Sequence, residues 1–175
     1  MRPRKSRASA ADRPPLTRAE ARTLALGWLG LRELSRAQVR QRLVRRGVDT
    51  ETIDALIDEL VALGALDEAR LARAAARLET TIKGRGPART RARLKSLGLP
   101  SATVDAAVDA TLEDVDLDAL LDRALEKRLR GLPPGRLEPA AVRRVVGAMV
   151  RQGFAAGPVF ARLRKRGADV PDDAE

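Results

Sequence analysis

The sequence predicts an all-helical protein made of three tandem three-helix repeats, each similar to a small helix-turn-helix unit, in an elongated array. A helix that ends in glycine occurs three times, with its glycine at Gly47, Gly98 and Gly153. The intervals are 98 − 47 = 51 and 153 − 98 = 55 residues. A repeat of this length, built from short helices, is typical of a helical array and not of one closed globule. The chain contains no strand candidate.

Apolar residues keep a constant distance from each of these glycines. A spacing of four residues places them on one face of a helix, so we expect that face to be buried. The positions eight and four residues before the glycines hold Val39, Leu43, Thr90, Leu94, Val145 and Met149. The positions six and ten residues after them hold Ile53, Ile57, Val104, Val108, Val159 and Leu163. Because aromatic residues make up only 2% of the chain, the core must consist of small aliphatic side chains, which suits thin helical layers.

The first repeat is predicted over 17–65. Its first two helices begin with the capping-box pattern, a Ser or Thr followed three residues later by Glu or Gln. These pairs are Thr17 with Glu20, and Ser35 with Gln38. The third helix begins near Asp49 and stops at Gly64. Residues 1–16 lack periodicity and predict a disordered basic arm, and 169–175 predict a frayed acidic tail.

The second repeat is predicted over 66–113, and Asp67 caps its first helix. We expect the buried stripe of that helix to be Leu71, Ala75, Leu78 and Ile82. Two glycines then break the chain before Pro87, which begins the middle helix because proline is favoured at the first helical position. Pro100 precedes the last helix of this repeat.

The third repeat is predicted over 114–168. Its first helix begins near 114–118, and the sequence GLPPG at 131–135 ends it. Pro139 begins the second helix and Pro158 the third. The three repeats therefore predict nine helices.

Composition excludes several classes of function. The chain has a net charge of +10, which indicates a polyanionic partner. It has no cysteine and no histidine, which excludes disulfides, zinc held by these residues, and Ser-His or Cys-His nucleophile systems. No apolar run approaches the roughly 20 residues of a membrane helix. We therefore expect a cytoplasmic protein that is not an enzyme.

Three local features invite a functional interpretation and do not support one. The acids at 113–118 lack the glycine of a calcium loop and fit a helix start. The segment KGRG at 83–86 is too short for a phosphate-binding loop. Trp28 and Phe154 lie on apolar stripes and are expected in the core, not as platforms for stacked bases. We predict no metal and no cofactor.

Charge is segregated by helix. Basic residues without acids occupy 34–48, 81–103 and 139–168, whereas acids without basic residues occupy 49–59 and 105–118. One interpretation is a set of solvated faces, with acids favoured at helix starts. The segregation favours a binding surface, because charges that only solubilise a protein mix both signs.

Four segments, taken in order, resemble the RecX family, the small regulators of the RecA recombinase. The resemblance runs from about Leu24 to Gly167 and rests on SRAQVRQRLVRRGV, LVALGALDEARLA, KGRGPARTRARLKSLGL and VRQGFAAGPVFARL. It includes the family's acidic junction at 66–72, its Lys-Gly…Gly helix start and its Arg-x-Gly-Phe motif. Leu71 stands where the family usually has phenylalanine.

This resemblance implies a curved, nine-helix protein of three repeats that lies in the groove of the RecA–DNA filament. Because the repeats bury their apolar faces on one another, we expect a monomer. It implies inhibition of RecA ATPase, strand exchange and co-protease activity, and so a role in recombination, DNA repair and the SOS response. The residues we expect to contact RecA or DNA are Lys83, Arg85, Arg89, Arg91, Lys95, Arg143, Arg144, Arg151, Arg164, Lys165 and Arg166. A weaker candidate set in the first repeat is Arg36, Arg40, Arg42, Arg45 and Arg46. Contact with single- or double-stranded DNA is expected to be weak and non-specific.

The alternative is a tandem helix-turn-helix transcription factor that binds duplex DNA. Such readers place Asn, Gln or Arg at base edges on one recognition helix. The third helices of repeats one and two, at 49–59 and 105–118, are acidic and would repel phosphate. The sequence therefore favours the regulator of RecA.

Overall fold

The structure, a computed structural model, describes residues 16–132 and 137–166 and confirms the all-helical prediction. Within these residues the chain forms nine α-helices, one π-helical turn and no strand. The basic arm before residue 16 and the acidic tail at 169–175 lie outside the described residues, as do 133–135 of the predicted break.

The chain packs as two compact units that divide between Leu71 and Ala72. The boundaries of the three predicted repeats therefore stay predictions. The first unit contains helices α1 (Arg18–Leu31), α2 (Arg36–Val44) and α3 (Thr50–Ala62) and the start of α4 (Glu68–Arg77). Two capping boxes begin α1 and α2 as predicted, and Asp49 begins α3 by accepting the Thr52 N–H at 2.8 Å.

The core of the first unit is aliphatic, as the low aromatic content predicts. Its fully buried members include Ala25, Leu34, Val39, Leu43, Ile53, Leu56 and Leu60. Trp28 is only half-buried and packs at the edge of this core. The guanidinium of Arg42 lies 5.3 Å from the centre of its ring, a cation–π contact that occupies one face of the indole.

The second unit contains the rest of α4 and five further helices. They are α5 (Pro87–Lys95), α6 (Ser101–Glu113), α7 (Leu117–Leu129), α8 (Pro139–Gln152) and α9 (Ala156–Lys165). Helix α9 begins two residues before Pro158, so the predicted start is wrong. Proline is accepted at the third helical position because the first four N–H groups of a helix have no partner within it. Phe154 is buried in the core between α7, α8 and α9, as predicted.

The predicted buried stripe of α4 is also wrong. The side chains of Leu78 and Ile82 are 45% and 76% exposed, whereas those of Ala72, Ala76 and Glu79 are buried. After Arg77 the helix continues as a single π-helical turn, Leu78–Ile82. A π turn carries more residues than an α turn and shifts the faces of the following residues. Ala72 and Ala76 are already buried before this turn begins, so the inward face of α4 lies one residue after the predicted stripe, and Leu78 and Ile82 face solvent.

Helices α5 and α8 meet through two glycines. The N–H of Gly86 donates to the carbonyl of Gln152 at 2.9 Å, and the N–H of Ala88 donates to the carbonyl of Gly153 at 3.2 Å. Gly153 has φ of +100° and ends α8 in the left-handed conformation, which glycine adopts without strain. The Gln152 amide donates to the carbonyl of Gly84 at 2.8 Å. These bonds fix the start of α5 against the end of α8.

Candidate functional site

Some arginines of the basic helices form ion pairs with acids of the next helix in the same repeat. Arg40 of α2 pairs with Asp54 of α3, and Arg91 of α5 pairs with Asp105 of α6 at 3.1 Å. These pairs are equivalent, because each arginine lies seven residues before the repeat glycine and each aspartate seven residues after it. Arg91 also contacts Asp109 at 2.5 Å. The acidic helices thus neutralise arginines on their basic neighbours.

The third repeat lacks this pair. The equivalent positions hold Val146 and Phe160, and α8 and α9 carry no acid. Arg143, Arg144 and Arg151 of α8 make no ion pair with any residue of the described chain and are exposed. The positive charge of α8 is therefore available to a ligand.

Six basic side chains line a cleft of about 830 Å³ in the second unit, which we call the cationic cleft. Its walls come from the segment before α5, from α5 itself, from the last turns of α7 and from α8. Its basic residues are Lys83, Arg85, Arg89, Lys127, Arg128 and Arg151. The other described residues that line it are Ala124, Ala148 and Gln152, so no carboxylate of the described chain lines it.

The cationic cleft continues along α8. Arg151 also lines a shallow depression of about 620 Å³ together with Arg143 and Arg144. Arg128 and Arg144 line a smaller one of about 290 Å³. Shared residues thus join the three depressions into one surface. Such a strip matches a ligand that carries a row of negative charges, and binding to it would release counterions.

A buried carboxylate lies behind one wall of the cationic cleft. Glu79, only 2% exposed, accepts a hydrogen bond from Lys83 Nζ at 2.7 Å and a second from Arg85. Arg93 Nε lies 3.9 Å away. Burial alone would raise the pKa of Glu79, but the Lys83 hydrogen bond and the charges of Arg85, Lys83 and Arg93 together lower it below its ordinary value. Glu79 is therefore charged at neutral pH.

The structure brings together some of the residues predicted to bind. Lys83, Arg85, Arg89 and Arg151 line the cationic cleft, and Arg143 and Arg144 line its continuation. The other five do not line these depressions: they are Arg91, Lys95, Arg164, Lys165 and Arg166. Arg91 is engaged with α6, Arg166 lies 3.5 Å from Glu126 of α7, and Lys95 is exposed on α5.

Sequence reasoning missed two residues of the cleft, Lys127 and Arg128. They lie in the last turn of α7, where basic side chains are favoured by the helix dipole. The cluster EKRLR at 126–130 is the signal that could have found them.

The weaker candidates of the first repeat lie in the first unit and are partly engaged. Arg36 lies 3.7 Å from Glu68, Arg40 pairs with Asp54, and Arg42 covers Trp28. Arg45 and Arg46 are exposed.

Two further observations bear on the class of protein. Among the described residues, no group of three or more potential ligands is placed to hold a metal ion. In the same part of the chain, every helix is too short or too polar to cross a membrane.

The fold and the site define an all-helical protein of short repeated units with a cationic cleft in its second unit. Residues 21–60 match the family model described as RecX, first three-helix domain. The chain is 32% identical over 149 residues to the regulatory protein RecX of Thermobifida fusca, covering 84% of this chain and 78% of that protein. It is 33% identical over 155 residues to the regulatory protein RecX of Halorhodospira halophila, covering 87% and 90%. The chain therefore belongs to the RecX family, whose members are named as regulatory proteins and not as enzymes.

Solved structures agree with this fold. The crystal structure of RecX from Lactobacillus salivarius matches with a TM-score of 0.72 at 15% identity, over 85% of this chain and 96% of that one. Another crystal structure of regulatory protein RecX matches with a TM-score of 0.74 at 18% identity, over 85% and 73%.

Proposed function

We propose that this protein binds the RecA–DNA filament through the cationic cleft and thereby inhibits RecA ATPase, strand exchange and co-protease activity. The observation that carries the proposal is that six basic side chains converge in one cleft of a RecX-family protein, with no acid among the described residues that line it. Through this inhibition the protein would modulate homologous recombination, DNA repair and the SOS response. Acting beside RecA on chromosomal DNA, it would work in the cytoplasm.

The physical basis is attraction between this surface and a polyanion. A RecA–DNA filament carries a row of DNA phosphates together with acidic side chains of the protein. Arg89, Lys127, Arg128 and Arg151 of the cleft are exposed and make no ion pair with an acid of the described chain, so they lose little when they bind such a row. Counterion release then favours the complex. Contacts at several points along a filament would also add by effective concentration.

We expect binding to naked DNA to be weak and not selective for sequence, and we expect the protein to be a monomer. Arginine and lysine dominate the cleft, which suits phosphates better than base edges. The one side-chain amide among its lining residues, that of Gln152, already donates to the carbonyl of Gly84. A gel-shift series on unrelated duplexes would test selectivity, and sedimentation would test the monomer.

The decisive experiment is a titration of RecA's DNA-dependent ATPase. We expect inhibition at near-equal or lower ratios of this protein to RecA. The double variant Arg89→Gln/Arg151→Gln removes two cations of the cleft and should raise the half-inhibitory concentration at least about tenfold, as loss of charged interface contacts does.

The matched control is Arg73→Gln/Arg77→Gln, which removes the same charge from exposed positions of α4 outside the cleft lining. It should inhibit like the parent protein. If an excess of the parent protein leaves RecA ATPase unchanged, the proposal is wrong. If both double variants lose the same inhibition, the inhibition depends on net charge and not on the cationic cleft.

A further inference from the structure

Glu79 is placed where a carboxylate should harm the binding of anions. Its charge lies behind the wall of the cationic cleft and faces two of the six basic residues of that cleft, Lys83 and Arg85. It is also the one charged residue among those buried in the described chain. Burying an ionised carboxylate costs free energy unless it is paired and hydrogen-bonded.

The carboxylate belongs to the π-helical turn and continues the buried face of Ala72 and Ala76. The turn spans Leu78–Ile82 and brings Glu79 and Thr80 to the buried side. The Thr80 hydroxyl lies 3.3 Å from the hydroxyl of Thr90 on α5, so the turn is held against that helix. The carboxylate then points at the chain that leads from the turn into α5. Lys83 lies four residues after Glu79 and Arg85 six, so both can reach it.

We propose that Glu79 is a positioning residue of the cationic cleft, which strengthens the binding of a polyanion by holding Lys83 and Arg85 in the cleft wall. The cleft binds the anion through these cations, and Glu79 itself does not touch the ligand. The inference rests on the proposed function in one respect only, because it assumes that the cationic cleft is the surface that binds the negatively charged partner.

Two effects of Glu79 oppose each other. Its negative charge lowers the positive potential of the cleft, which weakens attraction to an anion. Against this, Lys83, Arg85 and Arg93 surround one carboxylate and would repel one another without it. Long basic side chains that are already ordered also lose less conformational entropy on binding.

The ordering effect outweighs the loss of potential for a geometric reason. The side chains of Lys83 and Arg85 are 42% and 30% exposed, so they keep donors for a ligand while they contact Glu79. Three cations on one carboxylate leave a net charge of +2, so the group remains cationic. Removal of the negative charge of Glu79 should therefore weaken the binding of an anion, opposite to what net charge alone predicts.

The test measures binding of a fluorescein-labelled oligothymidylate by fluorescence anisotropy at low salt, and binding of RecA filaments assembled on the same oligothymidylate. We expect Glu79→Gln to weaken both at least about fivefold, although the variant is one unit more positive. The matched control is Glu113→Gln, which makes the same charge change at an exposed position of α6 outside the cleft lining. It should bind as tightly as the parent protein or slightly more tightly.

A double-mutant cycle tests whether Glu79 acts on binding through Lys83 and Arg85. In a Lys83→Gln/Arg85→Gln background, Glu79 has neither of these cations to hold, so Glu79→Gln should change binding less than about twofold. The second variant is Glu79→Met, because a methionine side chain suits a buried position. It is used if the Glu79→Gln protein does not fold. Circular dichroism and urea midpoints report folding. If neither variant folds, Glu79 serves stability alone and the inference is overturned.

The outcomes distinguish the two proposals. If the parent protein binds filaments and folded Glu79→Gln binds both probes as tightly or more tightly, only the inference falls. If the parent protein binds oligothymidylate but neither binds filaments nor inhibits RecA, the proposed function falls. The oligothymidylate arm then still decides the role of Glu79. A parent protein that binds neither probe overturns both.

Discussion

The backbones of Gly86 and Gly153 lie so close together that neither position has room for a side chain. A Cβ on Gly86 would lie 2.7 Å from the amide nitrogen of Phe154, and a Cβ on Gly153 would lie 2.8 Å from the carbonyl oxygen of Gly86. Both distances are far inside van der Waals contact, and the neighbours are backbone atoms that cannot rotate away. This contact sets the distance between α5 and α8, two of the helices that form the cationic cleft.

We therefore predict that Gly86→Ala destabilises the protein by roughly 3 kcal/mol, at the upper end of the cost of overpacking. The variant should also bind RecA filaments less tightly, because the walls of the cleft move apart. Urea unfolding followed by circular dichroism measures the first effect. Gly157→Ala is the control, since a Cβ there has open space and alanine in a helix is favoured by about 0.5–1 kcal/mol. Equal stability of the two variants would contradict the role of the contact.

We predict that Lys127 and Arg128 contribute to filament binding as much as the residues of α5 do. Both side chains are exposed and line the cationic cleft. The double variant Lys127→Gln/Arg128→Gln should weaken filament binding about tenfold, with a change in stability within about 0.5 kcal/mol. Added salt should narrow the difference from the parent protein, because screening shortens the reach of both charges. A variant that binds as tightly as the parent protein at low salt would remove α7 from the site.

Two arginines of the same helix should behave differently. Arg89 is exposed in the cleft, whereas Arg91 is engaged with Asp105 and Asp109. We predict that Arg89→Gln weakens filament binding by at least about fivefold and that Arg91→Gln weakens it by less than about twofold. Because these ion pairs are partly exposed, Arg91→Gln should cost at most about 1 kcal/mol of stability. Anisotropy titrations with filaments compare the two directly, and equal losses would mean that the internal pairs open on binding.

Glu79 should make the stability of the protein depend on pH. Its pKa in the folded state lies below the ordinary value of 4.5, so its stabilisation is fully present above that value. The stabilisation is lost as the pH falls through the folded-state pKa, because the unfolded chain then binds the proton first. Urea midpoints measured from neutral pH to below 4.5 should fall less steeply for Glu79→Gln than for the parent protein. Identical slopes for Glu79→Gln and the parent protein would refute the assignment.

The helices could be predicted from the sequence because their signals are local. Capping boxes at Thr17 and Ser35, Pro87 at a helix start and glycine at helix ends depend only on neighbouring residues. The ion pairs of Arg40 with Asp54 and of Arg91 with Asp105 could also have been predicted, because the repeat places them at equivalent positions. Both arginines, predicted from the sequence as candidates for binding, are engaged in these pairs.

The rest depended on geometry that has no local signal. The inward face of α4 consists of the small residues Ala72 and Ala76, so a count of large apolar side chains wrongly placed Leu78 and Ile82 in the core. Nothing in the residues next to Glu79 along the chain marks it as buried. Its burial and its contacts with Lys83 and Arg85 appear only in the folded structure. Lys127 joins the cleft because α7 packs against α8, a relationship that the spacing of residues along α7 cannot supply.

Trp28 gives the protein a built-in optical label. The sequence contains one tryptophan and no tyrosine, so its near-ultraviolet emission comes from a single indole in the first unit, beside Arg42. Quenching or a spectral shift therefore reports on the surroundings of that indole. Because the chain also has no cysteine, a single cysteine placed beside the cleft would accept a dye at one position. The emission of Trp28 and of the dye could then be followed separately in a titration with RecA filaments.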